Sequence, residues 1–200
     1  DYERVRISDL DQDGRKEMLR FCQDRLRIFE CRGDNIYEQV FEELWGGPYY
    51  DDLCIGDFDR DGKMEFVSCE GGLNTLVACE NTEVGVDSFA ITWVDTLRDC
   101  ANSNNIAGAN DMDQDGWGEF AVFNKRGGGG CLTVFEAVAD NLYEPVWSDT
   151  LVPGTNSGEL ACGDVDADGL DEICWICWDG LADRILLYKC VGPDSYELIW

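Results

Sequence analysis

One nine-residue pattern, Asp-x-Asp-x-Asp-Gly-x-x-Glu, recurs four times at near-constant spacing, and it constrains the fold more than any local propensity. The copies run Asp9-Leu-Asp11-Gln-Asp13-Gly14-Arg15-Lys-Glu17, Asp57-Phe-Asp59-Arg-Asp61-Gly62-Lys63-Met-Glu65, Asp111-Met-Asp113-Gln-Asp115-Gly116-Trp117-Gly-Glu119 and Asp164-Val-Asp166-Ala-Asp168-Gly169-Leu170-Asp-Glu172. Their first aspartates lie 48, 54 and 53 residues apart.

The flanks repeat too. A short apolar stretch precedes each pattern: Val5–Ile7, Leu53–Ile55, Ile106–Ala109 and Leu160–Cys162. Another follows each Glu, at Met18–Leu19, Phe66–Val67, Phe120–Phe123 and Ile173–Ile176, and a third comes at Leu26–Phe29, Thr75–Ala78, Leu132–Phe135 and Ile185–Tyr188. The fourth ends in an apolar pair four residues apart: Tyr37 with Phe41, Phe89 with Trp93, Tyr143 with Trp147, Tyr196 with Trp200. On an unbroken strand that spacing puts both members on one face. Runs of four to seven β-branched and aromatic residues between Gly, Asn and Asp read as strands. The chain is therefore expected to be all-β: a β-propeller of four four-stranded antiparallel blades, spanning about 1–47, 48–100, 101–153 and 154–200, as one domain. A linear solenoid of the same units is the alternative. Once-per-blade aromatics at Phe41, Trp93, Trp147 and Trp200 fit packing between blades better than a sugar-binding surface.

The repeat resembles the FG-GAP or VCBS-type calcium-binding blade of integrin α-chain-like propellers, over nearly the whole chain. The resemblance implies an extracellular propeller with a calcium ion in each loop. Members usually have about seven blades, so four would make a small closed propeller, a part completed by a second copy, or a building block of a polymer.

The loop chemistry points to the same ion. Calcium takes about six to eight oxygens at about 2.3–2.6 Å. Aspartates at alternate loop positions converge, Gly permits the sharp turn, and the Glu closes the shell. The expected ligands are Asp9, Asp11, Asp13 and Glu17; Asp57, Asp59, Asp61 and Glu65; Asp111, Asp113, Asp115 and Glu119; Asp164, Asp166, Asp168 and Glu172. The backbone carbonyls of Arg15, Lys63, Trp117 and Leu170 would complete the four Ca2+ sites. An EF-hand needs a bidentate Glu at position twelve, where this chain has Arg20, Ser68, Val122 and Trp175. Magnesium rarely uses cages built only from protein. The bland reading, solvated Asp-Gly turns, leaves four carboxylates crowded in each of four loops without a cation.

Charge sharpens this. With 42 acidic and 15 basic side chains the formal net charge is −27, a poor surface for nucleic acid or an anionic membrane. Four divalent ions would bring it to −19. No apolar run approaches the ~20 residues of a membrane-spanning helix.

Eleven cysteines in 200 residues suggest an oxidising, extracellular setting, from which a leader peptide would have been removed. Repeat alignment suggests three cross-strand disulfides, Cys22–Cys31, Cys69–Cys79 and Cys177–Cys190, with Asn124 and Ala137 at these positions in the third repeat. The partners of Cys54, Cys100, Cys131, Cys162 and Cys174 stay open, and one of these five thiols must be free or link subunits. Cys174-Trp-Ile-Cys177 has redox spacing but lies in an expected strand rather than at a helix start. Gly127–Gly130 reads as a hairpin; no Lys-Ser/Thr follows to make a phosphate loop.

With no histidine, triads and zincin motifs are excluded, and the prominent carboxylates belong to the loops. The chain is expected not to be an enzyme. The leading expectation is a calcium-binding structural protein that assembles with copies of itself into a filament, tube or surface layer. The alternative is an adhesion module that binds a cell-surface protein or glycan.

Overall fold

A computed structural model describes residues 5–22, 25–44, 50–70, 75–97, 105–126, 129–150, 159–178 and 183–200. They form sixteen strands in four antiparallel sheets, an all-β architecture consistent with a four-blade propeller. Blade 1 holds β1 (Val5–Ser8), β2 (Glu17–Cys22), β3 (Arg25–Gly33) and β4 (Ile36–Leu44). Blade 2 holds β5 (Tyr50–Gly56), β6 (Glu65–Glu70), β7 (Thr75–Asn81) and β8 (Phe89–Thr96). Blade 3 holds β9 (Asn105–Ala109), β10 (Glu119–Arg126), β11 (Gly129–Ala139) and β12 (Leu142–Thr150). Blade 4 holds β13 (Leu160–Gly163), β14 (Glu172–Trp178), β15 (Asp183–Gly192) and β16 (Ser195–Leu198). Each blade is a plain meander, and each acidic loop joins its first two strands. The expected blade boundaries, and Cys100, lie outside the described residues.

Blades stack face to face, because a single four-stranded meander cannot bury both faces alone. Three apolar cores result, one per seam. Leu10, Leu19, Leu26 and Ile28 of blade 1 meet Leu53, Phe66, Val77 and Phe89 of blade 2. Phe58, Val67 and Leu76 of blade 2 meet Ile106, Phe120, Phe135 and Tyr143 of blade 3. Phe123, Leu132 and Val134 of blade 3 meet Ile173, Trp175, Tyr188 and Tyr196 of blade 4. Period-2 alternation sorts the residues: in β10, Phe120 and Val122 face blade 2 while Ala121 and Phe123 face blade 4.

The fourth strands depart from the expected pattern. In blade 3, Val134 pairs with Trp147 and Phe135 with Pro145, so Val146 is an extra residue. Such a β-bulge reverses the side-chain parity beyond it. Tyr143 and Trp147 therefore lie on opposite faces, not on one. Tyr143 packs on Phe120 of its own blade and on Trp93 of blade 2, whereas Trp147 packs on Tyr188 and Tyr196 of blade 4. Equivalent shifts occur between Ile28 and Phe29 and between Ala78 and Cys79. Phe41, Trp93 and Trp147 are accordingly seam aromatics, as their periodicity suggested.

The three expected disulfides do not fit the register. Cys22 stands opposite Arg25, six positions from Cys31, which stands opposite Tyr37 on β4. Cys69 stands opposite Leu76, three positions from Cys79, which faces Phe66. Cys177 stands opposite Arg184, six positions from Cys190. A bridge requires Cα atoms within about 7 Å, which such offsets along a strand at ~3.3 Å per residue do not allow. Alignment places equivalent residues in equivalent strands, but it does not place them opposite one another.

Candidate metal centres

Each loop is built by backbone geometry before any ion is considered. The fourth residue, Gln12, Arg60, Gln114 or Ala167, has a left-handed φ between 59° and 63°, and the following Gly14, Gly62, Gly116 or Gly169 has φ between 90° and 111°. Two left-handed residues in so short a span curl the chain tightly, and glycine takes the more extreme of them without a Cβ penalty. The aspartates lock the curl as Asx turns. Asp11 accepts from Asp13 N at 3.0 Å, Asp59 from Asp61 N at 3.2 Å, Asp113 from Asp115 N at 3.1 Å and Asp166 from Asp168 N at 3.2 Å. The first aspartate of each loop accepts from the glycine N–H, for example Asp9 from Gly14 at 3.1 Å and Asp164 from Gly169 at 3.0 Å.

The closing glutamate does two things with its two oxygens. One accepts from the N–H of the loop's second residue: Leu10 to Glu17, Phe58 to Glu65, Met112 to Glu119, and Val165 to Glu172 at 3.0 Å. The other, Oε1 of Glu17, Glu119 and Glu172 and Oε2 of Glu65, is buried without a hydrogen-bond partner. An unpaired buried carboxylate oxygen is costly and requires an explanation. In blades 2, 3 and 4 the glutamate also offers an oxygen within 4.8 Å of loop aspartate oxygens. The residues present thus fit a hard cation: several carboxylates, a fixed turn and one oxygen left over per site.

The four sites are not equal. Blade 3 brings together all four expected carboxylates, Asp111, Asp113, Asp115 and Glu119. Blade 1 groups Asp9, Asp11 and Asp13, blade 2 groups Asp57, Asp59 and Glu65, and blade 4 groups Asp164, Asp166 and Glu172. Asp61 joins a second acidic group instead, with Asp59, Glu80 and Asp140 at the seam between blades 2 and 3. Glu80 went unnoticed in the repeat, although the signal was there. Glu30, Glu80 and Glu136 all stand opposite the closing glutamate, across hairpins of different length. The fourth equivalent is Lys189.

Side-chain cations sit on some of these carboxylates. Arg15 pairs with Glu30 at 3.1 Å, Lys63 with Asp61 and, at 3.1 Å, with Glu80, and Lys189 with Asp166, with Asp168 at 2.6 Å and with Glu172 Oε1 at 3.8 Å. Blade 3 has Trp117 where blades 1 and 2 have Arg15 and Lys63. Burial, with like charges nearby, pushes the carboxyls of Glu17, Glu65 and Glu119 up to about 7, 8 and 9. The blade 3 glutamate is the most perturbed.

The loops also touch the next blade. Gln12 donates to Gly62 O at 3.0 Å, Arg60 to Asp111 at 2.6 Å and Gln114 to Gly169 O, while Ala167 has no such arm.

No family model and no curated protein sequence matches the chain. Among solved structures, it is similar to the crystal structure of a protein from Lactobacillus plantarum determined by a structural genomics consortium. The identity is 14%, the TM-score 0.64, and the match covers 99% of this chain and 55% of the other. The chain thus spans about half the length of that neighbour, and the likeness is one of fold.

Proposed function

We propose that the chain is an extracellular calcium-binding structural protein in which one Ca2+ per loop fastens each blade and its seam, and which assembles with copies of itself into a filament, tube or surface layer. The observation that carries the reading is the buried closing-glutamate oxygen that has no hydrogen-bond partner in any of the four blades and that, in blades 2, 3 and 4, belongs to a glutamate grouped with loop aspartates. The ligands proposed are the four carboxylates of each loop with the carbonyls of Arg15, Lys63, Trp117 and Leu170. When bound, calcium supplies positive charge where burial makes ionised carboxylates expensive. The chain's own residues do the rest: the Asx turns hold the aspartates, and the glutamate fixes the second loop residue in the seam. Dissociation constants of about 10⁻⁴–10⁻³ M would suit extracellular calcium.

Isothermal titration of the chelated protein with Ca2+ tests the site assignment. Binding of about four ions, with the melting temperature rising as they bind, is the expected result. No heat and no stabilisation at ten millimolar calcium would sink it. Light scattering and negative-stain microscopy with and without chelator test the assembly, which should be large and ordered with calcium and should soften without it.

A further inference from the structure

Each of the three internal seams is made from the same three contacts. The second loop residue of one blade, Leu10, Phe58 or Met112, is fully buried in the seam core. The post-bulge aromatic, Phe41, Trp93 or Trp147, packs on Phe89, Tyr143 or Tyr196 of the following blade, with ring centroids 5.6, 5.2 and 5.3 Å apart. The hairpin tip of the following blade donates a backbone N–H to the loop: Gly85 to Asp11 O, Asn141 to Asp59 at 2.7 Å and Asp194 to Asp113 at 2.8 Å.

The outer faces of blades 4 and 1 carry the same positions, and there they are exposed. On blade 4 the equivalent positions are Val165, Trp200 and Asp166. Val165 is 64% exposed and Trp200 70%, where their counterparts are buried or half-buried. On blade 1 the receiving aromatic is Tyr37, 52% exposed, and the hairpin tip is Asn35. Asn35 has φ 57°, matching 54° at Asn141 and 53° at Asp194, so its backbone is already in the conformation that donates in the other seams. Val5 and Ile7, on β1 at the positions of Ile106 and Gly108, are exposed as well.

We propose that the bare face of blade 4 in one chain receives the bare face of blade 1 in a second copy, forming a fourth seam between molecules, head to tail. The proposal rests on the self-assembly reading above and names its interface. Two observations commit it to a second copy. The faces complement each other by construction, since each presents the positions that cover the other's in three seams of the same chain. Their charges also match. Asp34 holds the place of Asp140, which meets the acidic Glu80 across the seam, and where the other blades have glutamate blade 4 has Lys189, whose ammonium lies on Asp166 and Asp168 at that face. A head-to-tail contact of this kind either closes into a ring or propagates as a filament.

The test is sedimentation velocity of the intact protein in calcium, comparing wild type with Trp200→Ser, Asp34→Lys and the double variant Asp34→Lys/Lys189→Glu. All three changes fall at exposed or half-buried positions, and circular dichroism checks the fold. Wild type is expected to self-associate. Each of the first two variants should weaken association at least about tenfold, the size expected for an interfacial anchor or charge pair. The double reversal should recover most of the loss from Asp34→Lys, which a merely misfolded variant would not do. If wild type associates and none of the variants changes it, the seam assignment is wrong and the assembly reading survives. If wild type stays monomeric with calcium at high concentration, both fall.

Discussion

At the scale of single residues, the closing glutamates carry the heaviest physical burden, because one oxygen holds the loop and the other is buried without a hydrogen-bond partner. Glu119→Gln keeps the backbone acceptor and removes the charge. Calcium affinity of one site should fall at least about tenfold, since a ligating carboxylate is lost, while above about pH 9, where burial makes the ionised Glu119 costly, the ion-free variant should melt at higher temperature than the ion-free wild type. Titration calorimetry and thermal melts read the two effects, and opposite signs are the expected signature. Lys189 makes the converse case. It already lies on Asp166 and Asp168, so blade 4 should bind calcium most weakly, and Lys189→Ala should strengthen that site about fivefold, the worth of a good exposed ion pair. Gly118 is a packing residue: a Cβ there would lie 2.6 Å from Phe58 Cα and 2.7 Å from Phe58 O. Gly118→Ala should therefore cost about 1–3 kcal/mol in urea unfolding, as overpacked seams do.

At the scale of elements, the bulged fourth strand decides how blades join. Because Val146 is an extra residue, one strand sends Tyr143 to one seam and Trp147 to the other. Deleting Val146 would restore strict alternation and turn one of these rings out of its core. The expected loss is about 3–5 kcal/mol, comparable to removing a buried large aromatic, and denaturant titration would measure it. Hairpin length matters in the same register-based way. The β2–β3, β6–β7 and β10–β11 hairpins differ in overall length, yet all bring a glutamate opposite the closing glutamate. Cysteines aligned by repeat do not meet, for the same reason: Cys69 and Cys79 share a hairpin but stand three positions apart.

At the scale of the whole molecule, the charge and the buried carboxyls predict a pH dependence that calcium should abolish. In the ion-free protein Glu17, Glu65 and Glu119 have pKa values raised by burial to about 7, 8 and 9, above their ordinary value of 4.5. The folded state then binds more protons than the unfolded state between those limits. The contribution of these groups to stability is complete below about pH 4.5 and lost as pH rises through 7 to 9. The melting temperature in chelator should fall across that upper range, whereas with saturating calcium the carboxylates are held ionised and the fall should vanish. A calcium-free melting curve independent of pH would show that the glutamates are not buried as described.

Sequence alone determined what is local and periodic. Four acidic loops, sixteen strands and the seam aromatics Phe41, Trp93 and Trp147 were legible because alternation and turn chemistry act over a few residues and the repeat states them four times, whereas Trp200, the fourth of that series, is 70% exposed. The loop carboxylates of Asp111, Asp113, Asp115 and Glu119 converge as their spacing demanded. Tertiary structure decided what depends on register and on neighbours in space. The parity switch at Val146, the offset of Cys22 from Cys31, and the meeting of Asp59 and Asp61 with Glu80 and Asp140 all arise from how strands slide and which blades face each other. A one-residue shift leaves a sequence pattern almost unchanged, yet it moves every side chain beyond it to the other face of the sheet.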